Sequence, residues 1–223
     1  NNVALGYGAL GTEDTGSRNV AMGHNTLNNL NYDGDGYNVA VGYAAGIAMS
    51  TGTLNTLIGG RAGTALTTGG DNIAIGYAAL KTEDAHGKNI AIGVQALEDQ
   101  DAGADAYNIA IGHQAGRDIT TGTLNTIVGG LAGDALTEGA NNTLLGYTAG
   151  GALTTGGSST IIGAYAGDAL TTGIRNTALG YGALSTSIDG DKNTAIGYLA
   201  LEDYEGSDGE GHNTAVGNES QLN

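Results

Sequence analysis

The chain has 223 residues, among them 42 Gly and 11 Tyr, and it lacks Phe, Trp, Pro and Cys. So few large side chains favour a thin fold over a wide globular core, Gly without a triplet period excludes collagen, and recurring aliphatics exclude disorder. Seven Lys and Arg against 23 Asp and Glu give 7 − 23 = −16, a charge that repels nucleic acid and anionic lipid surfaces.

The predicted elements, in chain order, are copies of one unit. Pentads of the form Asn-x-x-aliphatic-Gly begin at Asn2, Asn19, Asn38, Asn55, Asn72, Asn89, Asn108, Asn125, Asn142, Ser159, Asn176, Asn193 and Asn213. Nine of the twelve spacings are 17 residues, and the others are 19, 19 and 20. Counting the Asn as position 1, position 2 is always β-branched, position 4 always aliphatic, and position 5 always Gly. Position 8 is Ala in eleven copies. β-Branched residues at period two, bounded by Gly, predict short strands joined by turns, and a fixed short period predicts a solenoid with one copy per coil. Residues 1–223 therefore read as one all-β domain, a parallel β-solenoid of 12 to 13 coils, with two or three strands in each. The longer copies keep their pentads and differ in the connector, as loops on a regular stack would. The Asn is expected at a corner, in left-handed backbone, bonded to its neighbours in adjacent coils.

Position 3 is apolar in every copy: Ala in nine, and Leu57, Ile127, Leu144 and Ile161 in the rest. Positions 2 and 4 share one strand side and position 3 takes the other, so both sides are apolar. If positions 2 and 4 fill the coil, position 3 needs a cover from outside. Large residues at position 3 often coincide with small ones at position 6, as in Leu57 with Gly60, Ile127 with Gly130 and Ile161 with Ala164; Leu144 with Tyr147 departs. The expectation is lateral association through position 3, which Ala74→Asp or Ala195→Asp would disrupt.

The strings NTAIGYLAL from Asn193, NTALGYGAL from Asn176 and NIAIGYAAL from Asn72 resemble the YadA-like head repeats of trimeric autotransporter adhesins. They are equally similar to repeats of phage and bacterial tail-fibre proteins. The resemblance spans essentially the whole chain and implies a left-handed β-roll, three chains wide, displayed on a cell surface or a virion. The 17-residue period is longer than is usual for adhesin heads, and no coiled-coil stalk or membrane barrel appears in the chain. The resemblance carries no catalytic residues.

Acidic residues gather in the connectors of copies with Leu at position 9: Glu13-Asp14, Asp33-Gly34-Asp35, Glu83-Asp84, Glu98 to Asp105, Asp189-Gly190-Asp191 and Glu202 to Glu210. Copies with Gly at position 9 mostly carry neutral Ala-Leu-Thr-Thr-Gly connectors. Paired carboxylates on a turn suit calcium's preference for oxygen, which makes Asp33, Asp35, Asp189 and Asp191 candidate calcium ligands. A solvated acidic rim is the other reading. His24, His86, His113 and His212 are scattered without metal-ligand spacing. No Gly-x-Ser-x-Gly elbow occurs, and the Gly-rich strings at Gly59 and Gly129 lack the Lys of a phosphate loop, so neither an enzyme nor a required cofactor is expected. Six Tyr at position 6 (Tyr7, Tyr43, Tyr77, Tyr147, Tyr181, Tyr198) form either a binding strip or a packing ladder.

The expected function is a structural and adhesive extracellular fibre segment, a homotrimer whose cell-surface ligand the sequence does not name. The alternative is a filament subunit stacking end to end, since exposed strand edges invite addition. An ice-binding solenoid is a further alternative, motivated by the Thr pairs at Thr67, Thr120, Thr154 and Thr171. Direct membrane insertion is not expected, because no apolar run reaches about 18 residues.

Overall fold

The computed structural model describes residues 1–204 and 211–221. The chain divides into two compact units, Asn1–Asn108 and Ile109–Asn223. The first holds strands β1 (Val3–Leu5), β2 (Val20–Met22), β3 (Val39–Val41), β4 (Thr56–Ile58), β5 (Ile73–Ile75) and β6 (Ile90–Ile92). The second holds β7 (Ile109–Ile111), β8 (Thr126–Val128), β9 (Thr143–Leu145), β10 (Thr160–Ile162), β11 (Thr177–Leu179), β12 (Thr194–Ile196) and β13 (Thr214–Val216). Within each unit the strands pair in parallel and in sequence order, like over like: Ile73 lies beside Ile90, Ala74 beside Ala91 and Ile75 beside Ile92. The two added residues of the copy at Asn19 leave β2 and β3 in register, Val20 beside Val39, so they lie in the connector as expected. This is the predicted parallel β-solenoid.

One three-residue strand forms per coil, where two or three were expected. The rest of the coil turns, because position 5 and later residues adopt left-handed backbone. Gly76 at position 5 has φ +137, and a Cβ there would lie 2.3 Å from the carbonyl oxygen of Gly93 in the next coil. No other residue type meets both demands. Positive φ recurs at position 7 (Ala78, φ 56), at position 9 (Leu80, φ 48) and at the residue before each pentad (Lys88, φ 65). The left-handed corner thus falls one residue before the Asn and not on it.

The strand faces are the reverse of the expectation. Position 3 lines the chain's own interior: Ala21, Leu57, Ala74, Ile127, Leu144 and Ala195 are all 0% exposed. Positions 2 and 4 look outward. Ala74→Asp and Ala195→Asp would therefore break the coil itself and say nothing about association. The pairing of positions 3 and 6 also fails, since a side chain at Gly60 would meet only the ring of Tyr77, 3.5 Å away. The true partner of position 3 is position 9. Every large residue at position 3 shares its coil with Gly at position 9: Leu57 with Gly63, Ile127 with Gly133, Leu144 with Gly150, Ile161 with Gly167. A Cβ on Gly63 would press to 2.9 Å against Leu57 and 2.8 Å against Leu66. Interior volume is conserved by exchange, as close packing requires.

Position 12 completes the exchange. Coils with Gly at position 9 bury an aliphatic there (Met49, Leu66, Ile119, Leu136, Leu153, Leu170). In coils with Leu80, Leu97 or Leu184 at position 9, that leucine fills the interior and position 12 becomes Glu83, Gln100 or Ser187, still fully buried. The copy at Asn19 departs from the exchange, burying Leu27 at position 9 and Leu30 at position 12 together.

The Asn column ties the coils together. Asn38, Asn55, Asn72 and Asn89 are 0% exposed. The Asn55 side-chain oxygen accepts the Asn72 N–H at 3.1 Å. Its amide donates to the Gly69 carbonyl of its own coil at 2.9 Å and to the Thr53 carbonyl at 3.1 Å. Ser159 does half of this work, its hydroxyl accepting the Asn176 N–H at 3.1 Å. Asn55→Ala should cost about 2–4 kcal/mol by leaving a buried N–H and a carbonyl unpaired. Asn55→Ser should cost clearly less, because it keeps the acceptor. Urea unfolding of the three proteins checks the order.

Candidate functional site

Two surface features follow from this coil: an outward strand face and an acidic rim. On the face, positions 2 and 4 carry only Val, Ile, Leu, Met and Thr, and no charge in any copy. Met22, Ile58, Ile111, Leu145 and Leu179 are between 37% and 44% exposed. Scattered surface aliphatics are ordinary, whereas an ordered uncharged column within each unit is not.

Aromatic ladders flank the face at position 6. In the first unit His24 stacks between Tyr7 and Tyr43, with ring centroids 5.4 and 5.6 Å away. In the second, Tyr147, Tyr165, Tyr181 and Tyr198 follow one another at 5.5, 5.7 and 5.5 Å. Tyr165 escaped sequence reasoning because it occupies position 7, where it substitutes for the small Ala164. The rings contact one another along the coils, stacked or edge-on, and remain partly exposed, as a packing ladder would.

The residue before each pentad makes a further column of contacts. Arg18 pairs with Asp35 at 2.7 Å and hydrogen-bonds to the Tyr37 hydroxyl. Lys88 pairs with Asp105 at 2.5 Å and stands 5.2 Å from the centre of the Tyr107 ring. The Asp105 hydrogen bond, with that of Tyr107, pushes the Lys88 pKa up to about 12.

Among the described residues, none of the expected calcium ligands belongs to a converging group of three or more acidic or histidine side chains. Asp35 accepts the Ser17 hydroxyl at 2.6 Å and binds Arg18, so both its oxygens are committed to the preceding coil. Asp191 accepts the Ile174 N–H at 2.8 Å. Asp33 is exposed and Asp189 is half-buried. Of the connector from Glu202 to Glu210, residues 205–210 lie outside the described residues. Among the described residues, the acidic and histidine side chains that converge are Glu83, Asp84, His86 and Asp101, whose potential ligand atoms all lie within 4.8 Å of one another. The Thr column is likewise engaged internally: Thr67, Thr137, Thr154 and Thr171 each donate to a carbonyl of the next coil at 2.9–3.3 Å. The second Thr of each pair, Thr68, Thr121, Thr155 and Thr172, is exposed. Among the described residues, no helix is long and apolar enough to cross a membrane.

An open groove of about 500 Å³ lies in the second unit, bounded by Tyr165, Tyr181, Asp168, Thr186, Ile188 and Glu202. Burial pushes the Asp168 carboxyl up from its ordinary value, against the pull of the backbone N–H groups that it faces. Its folded pKa is therefore above its unfolded one. The stability that Asp168 permits is fully present below the unfolded value and is lost as pH rises through the folded one. Asp168→Asn should melt higher than wild type at pH 7, and the gap should close as pH falls toward 4. Melting curves across that range check it.

In comparisons with known proteins, no family model, no curated protein and no solved structure matches the chain.

Proposed function

We propose that the chain is a structural segment of an extracellular adhesive fibre, which packs sideways against two further copies of itself through its exposed strand face. The observation that carries this reading is the charge-free column of positions 2 and 4. A protein of net charge −16 keeps all 26 of these positions uncharged. An apolar sheet face gains by leaving water, and a second copy offers the same uncharged column while the acidic connectors stay apart. The pentads that resemble trimeric adhesin heads and tail-fibre repeats support three chains and a surface location. A stack of like coils, with interiors closed by small and aliphatic side chains and the Asn column, serves as a spacer and needs no reaction centre.

The test is the mass of the soluble protein by light scattering. The proposal expects 3 × 22.0 kDa, or 66 kDa, for wild type. Leu145 and Leu179 are each 44% exposed, so Leu145→Asp with Leu179→Asp leaves the interior intact. That double variant should stay folded by circular dichroism and fall to 22.0 kDa. A monodisperse wild-type monomer, or a double variant of unchanged mass, overturns the proposal.

A further inference from the structure

The connector of the copy at Asn72 contains a carboxylate that the fold does not explain. Glu83 occupies position 12, where coils with Gly at position 9 place an aliphatic, and its side chain is 0% exposed. One of its oxygens, Oε1, accepts the His86 N–H at 3.1 Å. The other, Oε2, has no hydrogen-bond partner, and neither does the buried Nδ1 of His86. That nitrogen stands 3.6 Å from Glu83 Oε1, too far for a hydrogen bond. Burying an unpaired carboxylate is costly, and Asp84 and Asp101 add two more negative charges beside it.

The same molecule supplies a control. The string Thr-Glu-Asp also occurs at Thr12-Glu13-Asp14, at the same repeat positions. There both oxygens are used: Glu13 Oε1 accepts the Gly16 N–H at 2.7 Å and Oε2 accepts the Tyr32 N–H at 3.4 Å. Position 15 is Gly in that coil, and the following coil places Asn31 at position 13. In the copy at Asn72, position 15 is His86, and the following coil places Asp101 at position 13. Two of the differences between these connectors each add a metal ligand, and the glutamate they surround is the one left with a free oxygen.

We infer that Glu83, Asp84, His86 and Asp101 bind a divalent transition-metal ion of the zinc type, which joins the connectors of two successive coils. One imidazole nitrogen with carboxylate oxygens suits zinc or a similar borderline ion, whereas calcium prefers an all-oxygen shell. The ion supplies the missing partners of Glu83 Oε2 and His86 Nδ1 and offsets the three gathered carboxylates. Because Asp101 belongs to the next coil, bound metal works as a staple between coils. Burial also pushes the Glu83 carboxyl up from its ordinary range, which is the direction that a nearby cation would reverse.

The experiment uses the full chain stripped with chelator and then titrated calorimetrically with zinc chloride and, separately, with calcium chloride. Melting curves are recorded with and without each ion, and circular dichroism confirms that every variant is folded. The wild type should bind one zinc per chain and melt higher when loaded. Glu83→Gln keeps the bond to the His86 N–H, and His86→Ala keeps the backbone carbonyl that Asn72 uses. Each should weaken zinc binding by roughly tenfold or more. Glu13→Gln should leave zinc binding unchanged. Absence of zinc binding by the wild type overturns the inference. So does binding undiminished in either Glu83→Gln or His86→Ala, and so does calcium bound as tightly as zinc in a manner indifferent to His86→Ala.

Discussion

A strand of three residues is too short to hold itself extended, and here each one is held by the strand of the neighbouring coil. The register is like over like, so every repeat position meets its own counterpart 17 residues away in the regular copies. The Asn column then closes what the strands leave open, since its side-chain oxygens accept backbone N–H groups of the next coil, and amides such as that of Asn55 donate to a carbonyl in their own. Stability in such a stack comes from neighbour interfaces more than from any single coil. This is why Gly at position 5 and Asn or Ser at position 1 admit almost no variation, while the connectors vary freely in length and charge.

The solenoid, its strand positions and its coil boundaries were legible because they follow from spacing and from Gly. Which strand face lies inside was not legible from alternation, since both faces are apolar. Size decides it. Ala dominates position 3, and its four large exceptions coincide with Gly at position 9, a compensation that only residues sharing one interior need. Position 6 drew attention because it is often small where position 3 is large, but it faces outward and packs on its own column. The count of strands per coil was overestimated because Leu at position 9 accepts left-handed backbone, a cost of roughly 1–2 kcal/mol that its complete burial offsets.

Reading position 12 as interior would also have exposed the one connector that stands out. In four of the six copies with Leu at position 9, position 12 is released from its packing role and becomes Glu13, Glu83, Gln100 or Ser187. Gln100 settles this by accepting from Asn108 at 2.6 Å, and Glu13 by accepting two backbone N–H groups. Glu83 settles only half of it. The Asp-Gly-Asp turns drew attention because their charges are adjacent in sequence; in the structure Asp35 and Asp191 each bond to the preceding coil. Adjacency along the chain matters less than which connectors stack.

The left-handed residues between strands carry one more consequence, for resistance to digestion. Endoproteases bind substrate as an extended segment pairing along their own backbone, so they need several consecutive residues in β conformation. No described strand is longer than three residues, and a Gly of positive φ follows each one. Of the seven Lys and Arg that a trypsin-like enzyme could recognise, Arg18, Arg61, Lys88, Arg175 and Lys192 are themselves left-handed. Cutting there must wait for a coil to open, and opening one means breaking its bonds to the coils on both sides.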